Sequence, residues 1–230
     1  MNGIRWGEVP TTENPRLVVV VGSGKSLTGF NFKELQGLPD TKIIAVNGAG
    51  ASVPFADYWF TLDPWGLNGP QLPPRFSGAL YAAVPEHYGS RTAVSQPHML
   101  APSKIINYLH RIPFHSFPSP GPSDVLKWRM NEDPSCINTG NSGFGALNMA
   151  YHMRPEYILL LGIDGGKGYF YTTKSTNKSL AHLPNLFKSA VPQKDRGGIN
   201  VINASPASKV SAFPRYTISA ALTMLRSKLT

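Results

Sequence analysis

The regular pattern of the chain begins at Arg16–Val21 (RLVVVV), an unbroken apolar run that stops at Gly22. Apolar residues at consecutive rather than alternate positions suit a parallel strand buried on both faces. A turn or short helix follows near Phe32–Gln36, closed by Gly37 and Pro39. Lys42–Val46 (KIIAV) reads as the second strand and ends at Asn47-Gly48. Asp57–Leu62 (DYWFTL) and Gly78–Val84 (GALYAAV) are two further strands, and Pro102–His110 reads as a helix. The Pro/Ser-rich stretch Pro113–Asp133 reads as an excursion or lid.

Helical spacing then returns. Phe144, Leu147 and Ala150/Tyr151 share one face, with Ala146, Met149 and Met153 beside it, and Asn141 or Ser142 is placed to cap. Tyr157–Leu161 is a strand that ends in Gly162-Ile163-Asp164-Gly165-Gly166. A long polar loop runs from there to Gly198, Ile199–Asn203 forms the last strand, and Tyr216–Lys228 a closing helix. Strands and helices alternate, with no repeat and no dividing linker. The expectation is one Rossmann-like α/β domain over 1–230, its mostly parallel sheet covered by helices on both faces, with a lid-like loop region.

Ligands of such sheets collect at the carboxyl ends of the strands. The first strand runs into Gly22-Ser23-Gly24-Lys25-Ser26. This is not a P-loop, because the motif's first glycine would fall on Val19, inside the strand. Nor is it a dinucleotide fingerprint. Leu27 stands at the third glycine position, and the second strand ends in Asn47 instead of an acidic residue. What remains is a glycine turn whose backbone N–H groups and Ser26 hydroxyl suit a phosphate or ribose, beside an Asn suited to a base or sugar edge. Turn formation alone would also account for these residues. Trp59, Phe60 and Trp65 read as core residues.

Charge adds one inference. The 22 Lys and Arg against 13 Asp and Glu leave a net +9, which favours an anionic partner. The cations are dispersed and no nucleic-acid motif accompanies them, so a nucleic-acid acceptor is permitted but not indicated. No His has a partner at metal-ligand spacing, and no Asp-x-Asp occurs. The single Cys136 excludes an internal disulfide, and no apolar run spans a bilayer. The chain reads as soluble and cytoplasmic.

Taken in order, these motifs resemble those of the bacterial lipooligosaccharide sialyltransferases, glycosyltransferase family 42. Val21–Leu27 is similar to that family's opening GNGPSL, Val46-Asn47 to its CN, and Ser205–Ser208 to its CPNS. Ser142-Gly143 and Gly162-Ile163-Asp164 match its helix-starting Ser-Gly and its Gly-Ile-Asp strand end. The layout also resembles the domain-of-unknown-function 115 group, which includes hydroxymethylpterin diphosphokinases. The sialyltransferase resemblance implies a transferase that uses a nucleotide-activated sugar and a hydroxyl acceptor, without a metal or other cofactor. It assigns nucleotide binding to Gly22, Gly24, Ser26, Asn47, Ser142, Gly143 and Asp164, and the base to His182.

The departures are Ser23 for an Asn, Thr139 for an Arg, and Gly166 at the first of two phosphate-contacting Tyr positions. Tyr169 and Tyr171 are then the shifted substitutes, and Asp63, ending the third strand, is one more nucleotide contact to consider. Two alternatives stay open. One is an ATP- and Mg²⁺-dependent diphosphokinase relying on Asp63 and Asp164. The other is a nucleotide-binding module without catalysis.

Overall fold

The computed structural model describes residues 6–62, 76–84, 106–112, 129–138, 140–166, 168–171 and 180–230. Eight strands form one sheet: β1 (Leu17–Val21), β2 (Thr41–Val46), β3 (Tyr58–Thr61), β4 (Ala79–Val84), β5 (Ile106–Ile112), β6 (Cys136–Asn138), β7 (Tyr157–Leu161) and β8 (Asn200–Asn203). Their order across the sheet is β6-β5-β4-β3-β2-β1-β7-β8, and every neighbouring pair is parallel. Four α-helices accompany them among the described residues: α1 (Ser142–His152), α2 (Leu183–Lys188), α3 (Val191–Arg196) and α4 (Ile218–Leu229). This is the Rossmann-like α/β architecture.

The consecutive apolar run of β1 has the expected cause. All five of its residues are fully buried, with Val19 in register between Ile43 of β2 and Leu159 of β7. Alternate side chains feed two cores. Val18, Val20, Ile44, Val46 and Phe60 meet Phe144, Leu147 and Phe187 from α1 and α2 on one face. Leu17, Val19, Val21, Ala45 and Trp59 meet Ala221, Leu222 and Leu225 from α4 on the other. Trp59 and Phe60 are thus core residues, one on each face. Trp65 lies outside the described residues.

Two sequence expectations are corrected, and a third, the excursion or lid over Pro113–Asp133, lies outside the described residues except for 129–133. Ile106–Ile112 is strand β5, not the end of a helix: it pairs in parallel between β4 and β6, with Tyr108 buried in one core and Leu109 in the other. Residues 102–105 lie outside the described part. The polar loop expected up to Gly198 contains α2 and α3, each begun by a proline in its first turn. Leu183, Leu186 and Phe187 bury the inner side of α2. Finally, the end of the expected lid is not loose. Asn148 of α1, fully buried, accepts from Asn131 N at 2.8 Å, and its Nδ2 donates back to Asn131 O at 3.0 Å. Gln193 of α3 donates to Met130 O at 2.7 Å, and Arg196 pairs with Glu132 at 2.9 Å. β6, three residues long, follows this anchored stretch.

The amino edge of the sheet is closed by a second polar junction. Arg16 donates to both oxygens of Glu156 at 2.9 and 3.2 Å, and to the carbonyls of Lys228 and Leu229 that end α4. A guanidinium at a helix carboxyl terminus satisfies orphan carbonyls and complements the dipole.

His152 belongs to the Asn148 network and carries a pH consequence. Asn148 Nδ2 lies 3.2 Å from His152 Nε2, so the amide donates to a neutral imidazole nitrogen. Burial, partly countered by Glu132 and Asp133, lowers the pKa to about 4. The unfolded chain takes up that proton near its ordinary value of about 6.5. Stability from the neutral imidazole is therefore complete above that value and is lost as pH falls towards 4. Denaturant unfolding across this window is expected to show wild type losing roughly 1–3 kcal/mol more than His152→Gln. Parallel profiles for the two chains would refute a buried neutral His152.

Candidate nucleotide-binding edge

Order across the sheet reverses at β1, since β2 to β6 lie on one side of it and β7 and β8 on the other. The carboxyl ends of β1 and its neighbours form the crevice where such a reversal places ligands. The sheet pairing continues past both strands there. Gly22 N donates to Leu161 O at 2.7 Å and Gly24 N to Gly162 O at 2.8 Å. Ser26 then donates from N to Asp164 Oδ2 at 2.8 Å and from Oγ to Oδ1 at 2.6 Å. Both Ser26 donors, which the sequence offered to a phosphate or ribose, meet a carboxylate of the chain itself.

Gly24 takes φ −66° and ψ 153°, an extended backbone open to any residue. Glycine is needed for another reason. A Cβ there would run into the Asp164 carboxylate and lie 2.6 Å from Gly162 O. The left-handed residue is Gly162, φ 64°, where a Cβ would also sit 2.6 Å from Leu27 Cδ1.

The other two segments reach the same edge. α1 starts there with Asn141 as its cap, its Oδ1 accepting from Gly143 N at 2.8 Å. The Ile163 side chain lies against both turns. A Cβ on Gly22 would be 2.6 Å from Ile163 Cδ1, and one on Gly143 would be 2.8 Å from the same atom. Asn47 follows β2 with φ 54° and holds Trp59 Nε1 through its carbonyl at 2.9 Å. Its Oδ1 is buried and accepts no hydrogen bond among the described residues. Such an orphan acceptor calls for a donor, and at a strand end facing a crevice a ligand can supply one.

His182 sits just before α2, half-buried, with Nε2 3.2 Å from Gly140 O. A donor bond to that carbonyl selects the tautomer protonated on Nε2, which leaves the basic lone pair on Nδ1. A Cβ on Gly165 would lie 3.8 Å from Leu183 Cδ1, so His182 follows the chain past both the α1 start and the Gly-Ile-Asp turn. Tyr169 and Tyr171 stack with centroids 5.4 Å apart and planes 5° apart, both well exposed. Burial of its inner part raises the Tyr171 phenol above its ordinary pKa, and the bond with Ser23 partly opposes this.

Asp63 lies outside the described residues, as does Thr139. Three residues of this edge lie in the quoted motifs but are not among the expected site residues. Ile163 joins the glycine turns. Ser208 Oγ donates to Ile163 O at 2.8 Å and fixes the strand-end turn from β8. Gly48 lies under Tyr171, and only its place after Asn47 hinted at a role.

No family model matches the chain, and no curated protein matches it. Among solved structures it is similar to the MAf glycosyltransferase from Magnetospirillum magneticum AMB-1, with TM-score 0.57 and 12% identity over 98% of this chain. The chain spans 39% of that protein's length. It is also similar to the sialyltransferase CstII from Campylobacter jejuni in complex with CMP-3FNeuAc, with TM-score 0.49, 14% identity, 87% of this chain and 86% of that one. A CstII complex with a trisaccharide acceptor and CMP gives TM-score 0.48 at 13% identity, covering 87% of this chain and 85% of that one. These structural neighbours are glycosyltransferases, and the likeness is one of fold. No helix among the described residues is long and apolar enough to cross a membrane.

The Ser26–Asp164 junction has a measurable consequence. Ser26→Ala removes a hydrogen bond to a carboxylate and should lower unfolding stability by about 1–3 kcal/mol. Gly24→Ala forces a Cβ against Asp164 and Gly162 and should cost a similar 1–3 kcal/mol. Denaturant melts at wild-type stability for both would show that the junction contributes nothing.

Proposed function

We propose that the chain is a metal-independent glycosyltransferase that takes its sugar from a nucleotide donor, of the cytidine monophosphate type, and passes it to a hydroxyl acceptor. The observation that carries this reading is convergence. The ends of β1 and β2, the start of α1 and the Gly-Ile-Asp turn, separated in sequence, meet at one edge, with His182 bonded to Gly140 beside them. The glycosyltransferase fold of the neighbours is compatible with it.

In this reading the nucleoside lies along the glycine turn and Asn47, whose unpartnered Oδ1 takes a donor from the base or sugar. The phosphate faces Ser142-Gly143, where the amino end of α1 favours an anion. A phosphate pressed onto Gly24 would instead meet the Asp164 carboxylate. His182 takes the proton of the acceptor hydroxyl as its oxygen attacks the anomeric carbon. The sugar–phosphate bond breaks, and the nucleotide leaves with the electron pair. Helix N–H groups that meet the growing phosphate charge are already in place and need no reorganisation. A pyrophosphoryl transfer would need carboxylates free to hold Mg²⁺. Both Asp164 oxygens are engaged by Ser26, which favours the glycosyl reading.

Calorimetric titration of CMP, UDP and ATP, each with and without Mg²⁺, tests the donor. CMP should bind best and gain nothing from the metal, and preferential Mg-ATP binding would replace this function with the kinase one. His182→Ala should lower turnover of a CMP-sugar by roughly 10²–10⁴-fold with little change in CMP affinity. Normal turnover in that variant would remove His182 from the mechanism.

A further inference from the structure

Tyr171 is held in place from several sides. Phe170 N donates to Ser23 O at 3.1 Å, which fastens the segment across the end of β1. Phe170 packs on Phe32 with centroids 5.4 Å apart, and Phe32 on Phe30 at 5.3 Å. Tyr171 meets Phe170 edge-on at 5.1 Å and stacks on Tyr169. Ser23 in the glycine turn is near enough to its hydroxyl to influence the phenol. At the end of β2 it lies so close to Gly48 that a Cβ there would be 2.5 Å from Oη and 2.8 Å from Cζ. The side chain therefore bridges the carboxyl ends of β1 and β2, yet it remains 48% exposed.

We propose that Tyr171 serves the nucleotide through its ring, as a fixed aromatic wall beside the base, and that Gly48 is the positioning residue that seats it. This rests on the nucleotide reading of the same edge and changes the role of the tyrosine within it. Its hydroxyl end is turned onto Gly48 at the end of β2, so the surface left for a ligand is the flat, apolar one. A nucleobase is the part of a nucleotide that stacks on such a face, and stacking tolerates any base. The row from Phe30 to Tyr169 keeps the ring ordered before a ligand arrives, which limits the entropy lost on binding.

Gly48 offers a way to move the ring without altering it. Its φ is not in the left-handed region, so alanine fits the backbone. The clash it creates is with the far end of a side chain, which can yield while the fold stays intact. CMP is the probe, titrated calorimetrically into wild type, Gly48→Ala, Tyr171→Ala, Tyr171→Phe and Asn47→Ala, with thermal melts confirming folding. Tyr171→Ala and Gly48→Ala should each weaken CMP about tenfold, and Tyr171→Phe should recover at least fivefold of the loss. Equal losses in Tyr171→Phe and Tyr171→Ala would overturn the wall in favour of a hydroxyl contact. Unchanged or tighter binding in Gly48→Ala would overturn it too, since the ring would then be irrelevant or obstructive. If Asn47→Ala loses CMP while both other alanine variants keep it, the wall fails and the nucleotide site stands. If wild type binds no CMP, both fall.

Discussion

The parallel pairing of β1 with β7 does not stop where the strands end, and the carboxyl edge of the molecule depends on that continuation. Gly22 and Gly24 carry the ladder onward to Leu161 and Gly162, and the Ser26–Asp164 bonds close it. Two loops from distant parts of the sequence become one rigid layer. Asp164 is fixed a second time from β8, through Lys209 N on its carbonyl at 2.8 Å, with Ser208 holding Ile163 beside it. Ile163 then sets the distance from this layer to the start of α1. Without the junction, neither the glycine turn nor Ser142-Gly143 has a defined place relative to the other.

The two edges of the sheet are built differently. Away from the candidate site, distant segments are bolted together by paired polar groups. Arg16 meets Glu156 and the end of α4, while the Asn148 amide uses both its oxygen and its nitrogen. The carboxyl edge keeps polar capacity in hand, with an unpartnered Asn47 oxygen and two exposed tyrosine rings. Exposed aromatic faces beside an open acceptor are features a ligand side needs.

Much of the architecture was legible because its signals are local. β1 is buried on both faces and shows it in five consecutive apolar residues, and α1 announces itself by spacing and by Asn141. Failures came where the deciding contact is remote. INYLHRI carries no clear period of its own, and pairing with β4 and β6 makes it a strand. The short α2 and α3 are too brief for periodicity to stand out in a polar stretch. Their stability comes from Leu183, Leu186, Phe187 and Gln193 finding a core that lies elsewhere in the chain.

The glycine turn shows the same distinction at the candidate site. Gly-x-Gly after a first strand suggests backbone bared for a phosphate, and that inference treats the motif as self-contained. Here the second glycine makes room for a carboxylate 140 positions later, with ordinary extended dihedrals. The letters are those of an anion site, but the group they admit is an anion the chain carries itself. In the proposed reading a phosphate takes its partner beyond the turn, at the amino end of α1, against which Ile163 packs. A motif states which atoms are small or polar; which partner they accommodate is decided by the strand that folds up beside them.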